Sequence, residues 1–248
     1  MSYALLLDTT RCIGCMACQE ACQKEYGFPV KQEPGLSATA RTAVESHGDY
    51  YVRKMCMHCE SPSCASVCPV GALKKTAEGP VTYDEKACMG CRYCLAACPF
   101  GVPRYEWEST TPRVQKCTMC YHRITEGKLP ACVEVCPAEA VTFGSRQEML
   151  TEARLRIMSN PDSYVPKIYG ERIVGGTSVF VLAAEPFEKL GMKDNLGEQP
   201  MPELTWKALS KIPEVVTLGG VFMMGLFWII DRRNKHMNGQ DKSEEVAS

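Results

Sequence analysis

Sixteen cysteines in a chain of 248 residues fall into four groups of four, with none left over. The groups are Cys12, Cys15, Cys18, Cys22; Cys56, Cys59, Cys64, Cys68; Cys88, Cys91, Cys94, Cys98; and Cys117, Cys120, Cys132, Cys136. In the first, "RCIGCMACQEACQ", residues 11–23, four thiols occupy eleven positions. Thiols this close either cross-link or hold metal. Disulfide frameworks serve small secreted domains whose cores are too small, and they are indifferent to tight local grouping. A chain of this length has room for a core. Several thiolates aimed at one point are what a metal centre demands.

Zinc sites of four cysteines use paired C-x2-C knuckles, usually a dozen or more residues apart, so that two knuckles fold toward one ion. Here three of the four groups compress all four thiols into eleven to thirteen positions. The third, "CMGCRYCLAACP" (88–99), is C-x2-C-x2-C-x3-C-P. That is the bacterial ferredoxin run, in which three thiolates grip one [4Fe–4S] cube and the fourth reaches another. Short spacing lets three sulfurs and the backbone N–H groups curl around a cube, while the fourth leaves on a helical turn. Proline after the last cysteine ends that turn, at Pro69, Pro99 and Pro137. Gln23 departs from this and puts only its local loop geometry in question.

The elements that must position these thiols repeat. "KMCMHCESPSCASVCPVGALKK" (54–75) resembles "QKCTMCYHRITEGKLPACVEVCPAEAVTF" (115–143), and the first group resembles the third. Groups two and three adjoin, joined by a Gly-Pro turn and the short strand "VTYD". They form one two-cluster unit, which leaves groups one and four to form a second, wrapped around it. The fold expected is α+β: two interleaved bacterial-ferredoxin-like units holding four iron–sulfur clusters, plus a C-terminal transmembrane helix. Residues 1–144 make the double ferredoxin domain, with one unit from 1–30 and 110–144 and the other from 50–108. A cysteine-free extension follows over 145–205. In it "SRQEMLTEARLRIMSN" (145–160) reads as a helix and "TSVFVLAA" (177–184) as a strand. The extension either caps the ferredoxin units or touches a catalytic partner; the residues do not choose.

These motifs resemble the four-cluster ferredoxin-type electron-transfer (beta) subunits of the complex iron–sulfur molybdoenzyme family. The likeness is greatest to those of membrane-bound formate dehydrogenase and periplasmic uptake hydrogenase. It runs from "LLLDTTRCIGCMAC" through "CMGCRYCLAACPFGVPRY" to "YVPKIYGERIVGGTSVFVL". The resemblance implies four [4Fe–4S] clusters with exchanged fourth ligands. Cys12, Cys15, Cys18 and Cys136 would hold one, and Cys117, Cys120, Cys132 and Cys22 a second. Cys56, Cys59, Cys64 and Cys98 would hold a third, and Cys88, Cys91, Cys94 and Cys68 a fourth. It also implies a large catalytic subunit, of molybdopterin or nickel–iron type, and a membrane quinone-reactive subunit. The chain itself would be an electron relay rather than an enzyme.

No Gly-rich phosphate loop, Ser–His–Asp set or HExxH is present, and a net charge of −1 gives no nucleic-acid footprint. Arg11, Lys54, Arg92 and Lys116 adjoin the groups; a cation near a cluster raises its potential, though a solvated surface charge is the plainer reading. His58, between Cys56 and Cys59, reads as a packed or hydrogen-bonded imidazole, since the thiols fill every ligand place. Two rivals remain at this point: a zinc-binding or redox-sensing interaction protein, and a free polyferredoxin.

From Val215 to Ile230 there are sixteen residues without charge, and residues 206–232 form the expected membrane anchor, before a polar tail over 233–248. Trp206 and Trp228 suit the interfaces; Gly219, Gly220 and Gly225 permit close helix packing. Arg232, Arg233 and Lys235 after the helix place the tail in the cytoplasm by the positive-inside rule, and the ferredoxin domain outside. "MSYALLLD" has no charged n-region, apolar core or twin arginine. Export bound to a signal-bearing partner reconciles the two; a cytoplasmic face is the alternative.

Overall fold

The computed structural model describes residues 2–32 and 34–245, with residues 236–245 as backbone. Two compact units divide the chain, Met1–Pro202 and Glu203–Ser248. In the first, in order, are β1 (Tyr3–Asp8), α1 (Ala17–Glu25), β2 (Ala43–His47), β3 (Tyr50–Lys54), α2 (Ser63–Ser66), β4 (Leu73–Lys75), β5 (Val81–Tyr83), α3 (Tyr93–Ala97), β6 (Arg104–Tyr105), β7 (Val114–Gln115), α4 (Tyr121–Thr125), α5 (Ala131–Glu134), β8 (Val141–Ser145), α6 (Arg146–Ser159) and β9 (Val179–Leu182).

The helices that carry cysteines are short for a local reason. α2, α3 and α5 stop just before Cys68-Pro69, Cys98-Pro99 and Cys136-Pro137, because proline drives the preceding residue out of the helical region. Cys98, for one, is extended at φ −75°, ψ 112°. After Cys22 there is no proline, and α1 runs on to Glu25. Gln23 is buried there, and its side-chain amide donates to Lys31 O at 2.9 Å and accepts from Lys31 N at 3.2 Å. The one departure from the cysteine-proline pattern thus ties α1 to the following loop.

β1 is the centre of the fold. β8 pairs with it antiparallel, from Tyr3↔Ser145 to Leu7↔Val141, and β9 parallel, from Leu5↔Val179 to Asp8↔Leu182. Successive side chains of a strand point to opposite faces. Ala4 and Leu6, with Phe180 and Leu182, pack under Met149, Leu150 and Ala153 of α6. Leu5 and Leu7, with Val179 and Val181, pack toward Val52, Met57, Cys117 and Met119. Both faces are buried, so β1 reads as a continuous apolar run rather than an alternating one. The expected helix over 145–160 is α6: the Ser145 hydroxyl accepts from Glu148 N at 3.2 Å and the Glu148 carboxylate from Ser145 N at 2.9 Å. This capping box is worth about 1 kcal/mol. The expected strand in 177–184 is β9, and "VTYD" contains β5. The extension does more than cap, since β9 completes the central sheet and its approach braces a cysteine loop. Ser178 N donates to His58 O at 3.0 Å and Glu60 N to Gly176 O at 3.0 Å.

In the second unit, α7 (Met201–Leu209) leads to α8 (Ile212–Glu245). Within the helical stretch Met201–Lys235 an 18-residue window has a mean hydropathy of 1.7, long and apolar enough to cross a membrane. Phe222, Met223 and Met224 are consecutive and all exposed, so the apolar surface surrounds the helix instead of forming one stripe.

Where β1 ends, the buried Asp8 is held by Tyr164 Oη (2.9 Å) and Arg156 Nη1 (3.0 Å), and accepts from Thr10 Oγ1 (2.6 Å). It anchors the entry to the first cysteine loop. Asp8→Ala leaves Arg156 with Glu152 at 2.7 Å as its remaining carboxylate and takes the acceptor from Tyr164 and Thr10; it is expected to cost about 1–3 kcal/mol, read as a lower urea midpoint. An unchanged midpoint would remove Asp8 as the anchor.

Candidate metal centres

All sixteen cysteines are free thiols, and the fold gathers them from distant segments. One cavity is lined by Cys12, Cys15, Cys18 and Cys136. A second is lined by Cys56, Cys59, Cys64 and Cys98, and a third by Cys68, Cys88, Cys91 and Cys94. The last four act on one another. Burial first, then the charges of Cys22, Cys120 and Cys132, push the Cys117 thiol well above the usual range.

The C-x3-C spacing does this geometrically. Residues four apart on a helical turn lie about 5–6 Å apart on one side, so one turn serves two neighbouring sites. α1 packs on α5 and α2 on α3. Cys18 and Cys136 meet in one cavity, one from each member of the first helix pair and its flank, while Cys22 and Cys132 meet in the next. Cys64 with Cys98, and Cys94 with Cys68, repeat the exchange.

Beside the second thiol of each group the backbone turns left-handed. Met16 (φ 61°) and Arg92 (φ 64°) follow the second cysteine in groups one and three; His58 (φ 50°) and Met119 (φ 57°) precede it in groups two and four. Such residues cost about 1–2 kcal/mol each and persist only where the surroundings demand them. Gly14 and Gly90 occupy equivalent positions at φ 69° and 75°. A Cβ on Gly14 would lie 2.5 Å from the Tyr51 ring, and one on Gly90 2.9 Å from the Tyr105 hydroxyl.

The donor chemistry fits iron–sulfur cubes. Among the described residues no three His, Cys, Asp or Glu side chains converge closely enough for one metal ion. Four thiols line each of three cavities, a soft-donor set of the kind that holds an iron–sulfur cube. Burial pushes Cys22 and Cys64 up to about 12 and Cys94 to about 11, so binding metal there releases protons. Cys68 differs: a desolvation penalty is outweighed by the N–H groups of Leu73, Ala72, Val70 and Gly71, and its thiol is lowered. Ala72 N donates to Cys68 Sγ at 3.2 Å. The turn after Cys98 directs Val102, Phe100 and Gly101 at its sulfur in the same way, though burial wins there. N–H groups aimed at sulfur stabilise a thiolate and the cluster it holds.

Of the basic residues singled out in the sequence, Arg11 and Arg92 are exposed. Lys54 is half-buried and pairs with Glu45 at 3.9 Å. Lys116 is 2% exposed; its ammonium donates to Val81 O and, at 3.0 Å, to Cys117 O, and it lines the second cavity. His58 is fully buried and accepts from Val81 N at 2.9 Å through Nδ1. Burial, then Lys116 and Lys75, hold it well below its ordinary range, so it is a neutral hydrogen-bonded imidazole. Sequence reasoning missed Arg53, a buried cation beside Lys54 that lines the first cavity. Strand alternation carried part of the signal: consecutive residues of β3 face opposite ways, so Arg53 and Lys54 could not share a face.

Two family models, each described as a 4Fe-4S dicluster domain, match residues 11–72 and 48–146. Among similar proteins is the hydrogenase-2 operon protein HybA of Escherichia coli O157:H7, 36% identical over 98% of this chain and 89% of the relative. The iron–sulfur subunit of the nitrate-inducible formate dehydrogenase of Escherichia coli K12 is 40% identical over 71% of this chain and 66% of the relative. The probable anaerobic dimethyl sulfoxide reductase chain YnfG of the same strain is 40% identical over 59% and 75%.

Gly14→Ala places a methyl against an aromatic ring at a left-handed position and is expected to reduce the iron bound per chain. Gly90→Ala meets only a hydroxyl tip and should reduce it less. Equal and full iron in both variants would show the two loops to be looser than their geometry.

Proposed function

This chain belongs to the family of ferredoxin-type iron–sulfur electron-transfer subunits that includes those of hydrogenase and formate dehydrogenase, and from that premise we propose that it relays electrons through four [4Fe–4S] clusters within such a complex. The observation that carries the reading is the lining of three cavities, four thiols to each, with the remaining four, Cys22, Cys117, Cys120 and Cys132, bearing on one another. The ligand sets are Cys12, Cys15, Cys18, Cys136; Cys22, Cys117, Cys120, Cys132; Cys56, Cys59, Cys64, Cys98; and Cys68, Cys88, Cys91, Cys94. When bound, the clusters supply one-electron redox chemistry.

The chain's own residues do the rest. The left-handed turns at Met16, Arg92, His58 and Met119 hold successive sulfurs inward. The N–H groups after Cys68 and Cys98 stabilise charge on sulfur. Met57 and Val102 close the second cavity and keep water from it. The chain is a non-catalytic subunit. Its partners are a large catalytic subunit, of molybdopterin or nickel–iron type, and a quinone-reactive membrane subunit. The named relatives from hydrogenase and formate dehydrogenase support this.

Residues 206–232 anchor the chain. The cations Arg232, Arg233 and Lys235 favour a cytoplasmic tail and a ferredoxin unit on the outer face, exported with a partner.

Anaerobically purified protein is expected to contain about sixteen irons with matching sulfide, and after reduction to give an EPR spectrum of interacting spins. Cys91→Ser is expected to leave about twelve irons. Zinc without iron or sulfide would end the relay reading.

A further inference from the structure

Arg53 is 8% exposed, on the central stretch of β3. Its Nε donates to the buried Thr42 hydroxyl at 2.8 Å, and the charge of Cys132 bears most strongly on its guanidinium. Nη1 has no hydrogen-bond partner among the described residues. Burial works against its charge, and the groups that favour that charge are thiols, Cys132, Cys18 and Cys117. No carboxylate pairs with Arg53 among the ion pairs of the described residues. Asp8, the one acid lining the same cavity, is taken by Arg156, Arg11 and Tyr164.

A guanidinium is charged at every accessible pH. Leaving one buried with an unsatisfied N–H and no counter-charge is among the most destabilising arrangements a fold can hold. The arrangement becomes reasonable if an anion faces it. Arg53 lines the cavity of Cys12, Cys15, Cys18 and Cys136, and its charge also bears on Cys22 and Cys117 of the neighbouring quartet. Its planar fork can face two sites at once, which a lysine ammonium cannot.

We propose that Arg53 is the shared counter-charge of two neighbouring clusters, those of Cys12, Cys15, Cys18, Cys136 and of Cys22, Cys117, Cys120, Cys132, and that it raises the reduction potential of both. This rests on the reading that the quartets hold clusters. Reduction adds one negative charge to a cluster, so a fixed cation beside it favours the reduced form. Arg53 acts through the field it sets and is a positioning residue for potential, not a ligand. In the two remaining quartets the charges bearing most on Cys59 and Cys94 are those of other cysteines.

The test is an EPR-monitored redox titration of the full-length, iron-loaded chain and its Arg53→Gln variant, with iron and sulfide measured in both. Arg53→Gln is expected to lower two of the four midpoints by tenfold or more in the reduction equilibrium, about 59 mV for a one-electron couple. The other two should stay in place, and Arg53→Lys should shift the same pair less. No shift, an equal shift of all four, or a shift as large in Arg53→Lys overturns the proposal. Where Arg53→Gln takes up no iron, Thr42→Asp decides instead. It sets a carboxylate against the guanidinium and cancels its field, so the same two midpoints should fall; unmoved midpoints overturn the assignment. Too little iron in the parent chain would count against the four-cluster reading, whereas full iron with unmoved midpoints counts against Arg53 alone.

Discussion

Each enclosed space in the first unit needs thiols from segments far apart in the chain, and that convergence is the constraint on which the rest depends. Cys136 must reach the loop of Cys12 to Cys18, and Cys22 must reach Cys117, Cys120 and Cys132. The pairing of β1 with β8 does most of this work. Its register ends at Leu7↔Val141, and Asp8 N donates to Ala140 O at 2.8 Å. The chain then leaves β1 a few residues before Cys12, close to where Cys136 has just preceded β8. The all-apolar interior of β1, buried on both faces, makes that register hard to slip.

A second constraint is electrostatic. Thiols drawn out of water resist ionisation, as the raised values of Cys22, Cys64 and Cys94 show. The fold answers with N–H groups after the cysteine-proline turns and with two buried cations, Arg53 and Lys116, neither paired with a carboxylate in the described residues. Backbone donors need only the right turn, which proline and a left-handed residue supply locally. Arg53 comes from β3 and Lys116 from just after β7, and both bear on thiols of other segments, Arg53 on Cys18 and Cys132 and Lys116 on Cys64, so they reach those sites only after the hairpins have formed.

Much of this was legible in the residues. The grouping of the cysteines, the repeated C-x3-C turns and the uncharged stretch from Val215 to Ile230 depend on local spacing, and spacing survives folding unchanged. Gln23 was visible as an exception, but its role as a tie to Lys31 was not, because the loop that folds back on α1 has no pattern of its own. Lys54 drew attention beside a cysteine group, while Arg53, one residue earlier, was the side chain that faced inward. The pattern "YYVRK" contains both, and β3 buries residues on each face, so alternation alone could not say which face held thiols.

By itself the sequence determined the donor type, the number of thiols in each local run, the turns that curl them inward and the helix able to cross a membrane. These follow from interactions between residues a few positions apart. The distant cysteine of each quartet could be named only through a family resemblance, and only the tertiary structure decided that β9 of the cysteine-free extension completes the central sheet and which cations are buried beside sulfur. Those outcomes depend on strand register and on which face of a strand meets which neighbour. Contacts between residues from twenty to more than a hundred positions apart leave no spacing in the chain from which to read them.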